Sequence, residues 1–345
     1  MQNHPIPTTG DGVDCTKANA NLDSDYRYGR VSSNDSEQHA ACLSDWDQTY
    51  HQLDPGQFNG ELTDLGFLGI QVFRETTNRS VLQQGSPIDD CVVFGIPLAM
   101  DGPGLFSGKH FTQQDFITFN GSDGFHLITP KRFDILAVTV PRIELMQLLA
   151  LEGIDACSIS KSTVLKPATA TLHALRDCLA SVVNPQEIDP SHFAHLQVQR
   201  NLKSGILSNI VSTIRSAKPG DSPSRCFKSR SHLVREIIDW ALSKQEDPPS
   251  ISEICLRFNI GRRVLNYSFI EVVGTSPLNY LRSIRLNGAR RDLRKLPSQM
   301  SVQEIASQWG FWHLPRFSAE YRKLFGELPS ETRQRAAHIE LSVAR

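Results

Sequence analysis

The chain has 345 residues, 39% of them apolar, and a formal net charge of −1. That length exceeds one ordinary core and predicts two domains, while no apolar run approaches the ~20 residues that cross a bilayer as a helix. The small net charge hides an asymmetry: residues 225–345 hold 20 Lys and Arg against 12 Asp and Glu, and residues 1–224 hold 16 against 25. A basic half suited to a polyanion therefore follows an acidic half.

Residues 1–45 are rich in Asn, Asp, Ser, Thr and Gly, which predicts a mobile tail. The polar N-terminus shows no basic patch followed by an apolar stretch, so no secretion signal is expected. The seven cysteines are odd in number, scattered and never in a CxxC spacing. That suits reduced thiols and a cytoplasmic protein better than a disulfide frame or a zinc site.

Between about 60 and 140, short apolar runs alternate with turn signals. The runs include Phe67–Phe73, Cys91–Phe94, Phe116–Phe119 and Ile135–Val140; the turns include Asp101-Gly102-Pro103-Gly104 and Asn120-Gly121. This punctuation predicts a β-sandwich or barrel. Helical spacing follows at 141–152, 169–183 and 191–216. That helix pair either makes a dimer contact or covers the open face of the sheet. The effector or dimerisation domain is thus placed at 46–217. Lys218-Pro219-Gly220-Asp221-Ser222-Pro223-Ser224 opens a linker that runs to 228.

Seven helices are predicted beyond the linker, near 229–244, 251–258, 261–272, 277–296, 301–309, 313–325 and 330–338, with 339–345 as a tail. Two of the helix pairs are copies. Ser250-Ile251-Ser252-Glu253-Ile254-Cys255 matches Ser301-Val302-Gln303-Glu304-Ile305-Ala306 at an offset of 51. Leu265, Phe269, Gly274 and Pro277 match Phe317, Tyr321, Gly326 and Pro329 at an offset of 52, so one extra residue falls in the second turn. Ser250-x-x-Glu253 and Ser301-x-x-Glu304 are capping boxes. Gly274 and Gly326 stand where each second helix ends left-handed. A duplicated helix-turn-helix in a basic region points to double-stranded DNA.

In the first copy Leu265, Phe269 and Val272 share one face and are expected to pack on Ile251, Ile254 and Leu256. The other face presents Arg262, Arg263, Asn266 and Tyr267. Arginine suits guanine and asparagine suits adenine in a major groove. In the second copy Phe317, Tyr321 and Leu324 are expected inside, leaving His313, Pro315 and Arg316 on the DNA side, with His313 as a helix cap or phosphate contact. Trp309, Phe311 and Trp312 are expected to pack in core and turn. The 20-residue spacer spans ~30 Å, close to the ~34 Å repeat of the major groove. Its Arg282, Arg285, Arg290, Arg291, Arg294 and Lys295 are candidates for phosphate contact, Arg291 first among them, with Arg285 also placed to be an internal brace.

Arg263-Val264-Leu265, Phe269, Gly274-Thr275-Ser276-Pro277, Tyr280-Leu281, Arg285-Leu286, Ala289, Gly310-Phe311, Phe317, Tyr321-Arg322-Lys323, Phe325-Gly326 and Pro329 together resemble the AraC/XylS family of bacterial transcription regulators. The resemblance covers residues 229–338. Trp309–His313 and Phe325–Ser330 look like the branch containing the ethanolamine-operon activator. Val264 departs from the small polar residue usual there. The resemblance implies a two-motif DNA-binding domain, activation through contact with RNA polymerase, and an N-terminal effector or dimerisation domain, often cupin-like. The expected architecture is α+β, a β-sandwich or cupin-like domain with helices followed by an all-α domain.

His110 and His126 stand apart and no HxH occurs, so neither metal nor cofactor is expected in a cupin-like barrel. A DNA-repair enzyme with a zinc-bound cysteine needs clustered cysteines, which the chain lacks. The N-terminal domain is then a sensor of an unidentified small molecule or a homodimerisation module. Phe73, Phe94, Phe116, Phe119 and Phe125 are the candidate pocket residues, with plain core the preferred role for each. The competing reading of the whole is an effector-independent dimeric or architectural DNA-binding protein.

Overall fold

The structure is a computed structural model that describes residues 26–88, 90–159, 162–184, 193–219, 225–244, 249–295 and 300–343. The N-terminal part begins with β1 (Tyr26–Ser33), α1 (Ser36–Cys42) and β2 (Trp46–Gln52). Next come β3 (Gly60–Phe67), β4 (Ile70–Thr77), β5 (Val81–Pro87), β6 (Cys91–Met100), β7 (Gly104–Phe106) and β8 (Lys109–Phe111). It continues through β9 (Phe116–Asn120), β10 (Phe125–Ile128), β11 (Phe133–Pro141), α2 (Arg142–Leu151), β12 (Thr163–Lys166), α3 (Thr169–Val183), α4 (Leu196–Ser216) and β13 (Lys218–Pro219). The C-terminal part is helical: α5 (Arg225–Ser243), α6 (Ile251–Arg257), α7 (Arg262–Val273), α8 (Pro277–Lys295), α9 (Val302–Gln308), α10 (Leu314–Phe325) and α11 (Pro329–Val343).

Residues 26–42, expected within a mobile tail at 1–45, form a strand and a helix. Residues 1–25 lie outside the described residues, but β1 pairs along its whole length with β3, and Asp35 caps α1. The polar composition of this stretch reflects an edge strand and a helix cap rather than a lack of structure. Residues 225–228, expected in the linker, begin α5, and 220–224 lie outside the described residues. The last helix runs on to Val343, through most of the expected C-terminal tail.

The strands form two antiparallel sheets. One has the order β1-β3-β4-β11-β6-β9-β12-β13, the other β2-β5-β10-β7-β8. Their facing sides share Val93, Ile117, Phe119, Phe133 and Ile135 from the larger sheet with Phe106, Phe111, Phe125 and Leu127 from the smaller. Trp46 meets Phe73, Phe119 and Phe125 edge-on, and its indole N–H donates to Gln71 Oε1 at 2.9 Å, satisfying the one polar atom it buries.

The outer side of the larger sheet is covered by α2, α3 and α4, whose Leu145, Leu149, Leu172, Leu175, Leu179, Ile206 and Ile210 pack on Leu65, Val72, Phe94, Leu136 and Val138. The α3–α4 pair therefore covers its own sheet. This explains why Ile135–Val140 reads as an unbroken apolar run: Ile135 faces the other sheet and Leu136 the helices, so both sides of the strand are dry. Phe94 stacks on Phe116 on that helix side, whereas Phe73, Phe119 and Phe125 lie between the sheets. The five phenylalanines do not line one space.

The outer side of the smaller sheet meets the helical part. Leu82 and Leu105 join Val234, Ile237, Ile238 and Ala241 of α5, and Tyr280, Leu281 and Ile284 of α8, in one apolar cluster, with Ile128 packed against it. Burying that face of the sheet is the principal apolar contact between the two parts.

Candidate nucleic-acid interface

Each copied pair starts with the same reciprocal cap. Ser250 Oγ accepts from Glu253 N at 3.2 Å while Glu253 Oε2 accepts from Ser250 N at 2.7 Å. Ser301 and Glu304 repeat both bonds at the same lengths. The amide hydrogen bonds hold both glutamate carboxyls below the usual range. Both second helices end on a left-handed glycine, Gly274 at φ 78° and Gly326 at φ 79°.

In α7, Leu265, Ser268, Phe269 and Val272 are buried, and Phe269 sits edge-on to Tyr280 of α8 at 5.5 Å. Ile254 is buried against them and Ile251 partly so. Leu256 is not: it lies 81% exposed, because α6 turns its 251 and 254 positions inward and position 256 falls on the opposite side. The open face of α7 presents Arg262, Arg263, Asn266 and Tyr267, as its spacing predicts, together with Val264 and Ile270. Arg262 donates to Ser252 Oγ at 3.0 Å.

Arg230 joins this face from outside α7. It reaches from α5 to lie 4.4 Å over the Tyr267 ring and pairs with Glu271 at 2.6 Å. Arg230, Arg263, Val264, Asn266, Tyr267 and Ile270 line one shallow groove. Arg230 lies outside the copied unit, so no repeat pattern marks it.

In α10, Phe317, Tyr321, Leu324 and Phe325 are buried. The Tyr321 hydroxyl, 2.8 Å from Thr332 Oγ1, ties α10 to α11, and burial raises its pKa. His313 is the helix cap, its Nδ1 accepting from Arg316 N at 3.2 Å. Pro315 is the second residue of the helix, where its missing N–H costs no helix bond. His313, Pro315 and Arg316 are all exposed. Arg316 Nε donates to Glu320 Oε1 at 2.9 Å, and Glu320 Oε2 lies 3.3 Å from Arg282 of α8.

Of the three aromatics expected to pack, Trp309 is buried and Phe311 lies tilted against Phe317 at 5.0 Å, but Trp312 is 88% exposed. The turn points Trp312 outward, next to the open end of α10. Trp309 packs so close to α8 that a Cβ on Gly288 would run into its ring, which accounts for a glycine inside that helix.

The spacer helix α8 has 19 residues, and its arginines are engaged with other parts of the protein. Arg285 is half-buried with its guanidinium 5.5 Å from the Phe311 ring centroid, the internal brace of the two expected roles. Arg290 is buried, paired to Asp35 of α1's cap at 2.5 Å and to Glu327 at 2.9 Å, over the ring of Phe325. Arg294 reaches Asp35 at 2.6 Å, and Arg291 pairs with Glu37 at 2.6 Å with its side chain 13% exposed. Arg291 is therefore committed to the N-terminal part rather than open to a phosphate. The sequence showed its charge but not its partner, 254 positions away.

Backbone contacts complete this junction. Asn287 Oδ1 accepts from Gln52 N at 3.0 Å and its Nδ2 donates to Gln52 O at 2.9 Å, as a strand neighbour would. Gln52 Nε2 and Gly56 N both donate to Leu324 O at the end of α10. Burial pushes the Asp35 carboxyl up, yet Arg290, Arg294 and the Gln38 amide outweigh it and hold it below the usual range.

No helix among the described residues is long and apolar enough to cross a membrane, and no cluster of His, Cys, Asp and Glu among them could hold a metal ion.

A helix-turn-helix domain model matches residues 254–335. The chain is 32% identical over 126 residues to a probable thc operon regulatory protein of Rhodococcus erythropolis, covering 35% of this chain and 38% of that one. It is 44% identical over 137 residues to a XylDLEGF operon transcriptional activator of Pseudomonas putida, covering 39% of this chain and 41% of that one. Each match thus spans about two fifths of the relative. Among solved structures, an AraC-type regulator from Chromobacterium violaceum is 30% identical, covering 32% of this chain and 96% of that one, with a TM-score of 0.29. These relatives are named for the thc and XylDLEGF operons, so the resemblance to the ethanolamine-operon branch rests on the residues that suggested it. The domain match and the related operon regulators make this chain a member of the AraC/XylS family of DNA-binding transcription regulators.

Proposed function

We propose that the protein regulates transcription, as an activator, by reading double-stranded promoter DNA with α7 and α10. The observation that carries this is the matched pair of capped helices, each burying one face and leaving the other open. On α7 the open residues are Arg262, Arg263, Asn266 and Tyr267; on α10 they are His313, Pro315 and Arg316. Guanidinium and amide groups on α7 suit base edges, while α10, with one arginine on its open side, relies more on phosphate and shape. RNA polymerase is the partner expected of an activator of this family, and the relatives are regulators rather than enzymes.

The N-terminal domain is the controlling module. It holds α8, the helix that joins both readers, through Asp35, Glu37 and Gln52. A small-molecule effector or a homodimer contact that shifts α1 or β2 is thereby transmitted to the spacing of α7 and α10. The competing effector-independent reading draws support from the rings of Trp46, Phe73, Phe119 and Phe125, which meet one another between the sheets.

Selection of bound duplexes from a randomised library by the full-length chain tests the DNA assignment. A two-part motif is expected, and Arg263→Ala should lose ~1–3 kcal/mol at one base pair of it. Equal loss on selected and random duplex would refute base reading by Arg263. A saturable thermal shift of the full chain across a metabolite library distinguishes sensor from effector-independent regulator.

A further inference from the structure

We propose that Glu320 is a positioning residue that presents Arg316 to a guanine, and so sets the base preference of the second reader; this rests on the reading of α10 as a DNA-facing helix. Arg316 lies on the open side, its side chain 67% exposed, and it is the one arginine on that side of α10. A lone exposed arginine samples many rotamers and reads nothing in particular. Here Glu320, one turn on, takes its Nε at 2.9 Å. The two terminal amines have no acceptor among the described residues, and their paired N–H groups match O6 and N7 of guanine.

An exposed i,i+4 pair alone restrains little. Glu320 differs because its other oxygen lies 3.3 Å from Arg282 Nε on α8, and its side chain is only 21% exposed. The carboxylate is thus held from the spacer helix on one side and holds the reader on the other. Such support from behind is what fixes a recognition side chain within the tolerance of a bidentate contact. The carboxylate also opposes the phosphate backbone, so it lowers affinity for DNA in general while sharpening choice.

The two effects have opposite signs, which separates them from misfolding. Full-length wild type, Arg316→Ala, Glu320→Ala and Glu320→Gln are each bound to a randomised duplex library, and the bound fraction is sequenced. Arg316→Ala should erase guanine preference at one position, a change of roughly 5- to 150-fold. Glu320→Ala should lower preference at that same position by roughly three- to tenfold while binding to random duplex holds or strengthens. Glu320→Gln, which keeps an acceptor for Nε, should restore part of the preference.

A wild-type motif that survives Glu320→Ala unchanged refutes the positioning role alone. So does loss of a cytosine preference with the guanine intact, which would make Glu320 a reader itself. A wild-type chain that enriches no motif refutes the DNA-reading assignment, and the positioning role with it.

Discussion

Asp35→Ala measures how firmly the N-terminal domain grips the spacer helix. The carboxylate accepts four hydrogen bonds, from Glu37 N at 3.0 Å, Gln38 N at 2.9 Å, Arg290 Nε at 2.5 Å and Arg294 Nη1 at 2.6 Å. The first two cap α1, and losing a cap costs ~1 kcal/mol. The other two neutralise guanidinium charge, one of it buried, and breaking such a pair costs ~3–5 kcal/mol. Glu327 remains 2.9 Å from Arg290, so the low end applies. The expected destabilisation is ~4 kcal/mol for Asp35→Ala and ~3 kcal/mol for Asp35→Asn, which keeps an acceptor for the amides.

Denaturant unfolding of the full chain, followed by tryptophan fluorescence and circular dichroism, gives these differences. Asp35→Ala combined with Arg290→Met completes a double-mutant cycle across the two domains. A coupling of ~2 kcal/mol or more is expected. The folded carboxyl titrates below its unfolded value. Its contribution is therefore fully present above pH ~4 and is lost as pH falls through the folded pKa, so neutral buffer reports all of it. A cost below ~1 kcal/mol for Asp35→Ala, or a coupling within the ~0.5 kcal/mol of independent sites, would refute the grip.

Arg291→Ala should leave the salt dependence of DNA binding unchanged, because Glu37 already neutralises the guanidinium; a slope flatter by about one unit would return Arg291 to the phosphates. His51 should make the fold acid-sensitive. Burial first, and then the nearby charge of Arg291, depress its pKa to about 3. The unfolded imidazole titrates near ~6.5, so between those values the unfolded state binds more protons and stability falls on acidification, by up to ~1.4 kcal/mol per pH unit. Unfolding free energies from pH 7 to ~4 should show that slope in wild type and a shallower one in His51→Gln; parallel profiles would remove His51 from the account.

How much could be read beforehand followed from how local each cause is. The spacer helix, expected at 277–296, is observed as Pro277–Lys295, and both readers fall where their caps and glycines put them. Those signals act within three or four residues: a serine reaching an amide one turn on, a glycine taking φ near 78°. Burial of Leu265 and Phe269 follows from helical period in the same way. Leu256 and Trp312 are apolar yet exposed, because apolar character does not set a side chain's direction. A short helix turns position 256 outward from 251 and 254, and the turn after Phe311 turns Trp312 outward, whatever their hydrophobicity.

The spacer arginines failed for a different reason. Their charge is a property of the residue, but its use is settled by the neutralising partner, and Asp35 and Glu37 stand 255 and 254 positions from Arg290 and Arg291. The short α1 that carries those acids sits in a stretch whose composition resembles a tail, so neither half of the contact announced the other. A repeated motif therefore located the copied helix pairs but not the junction behind them. The basic excess of the C-terminal part overstates its open positive charge, because three of its arginines answer acids of the N-terminal part. On the proposed reading, positive potential toward DNA comes chiefly from the open face of α7, and an event that releases α1 would add Arg291 and Arg294 to it.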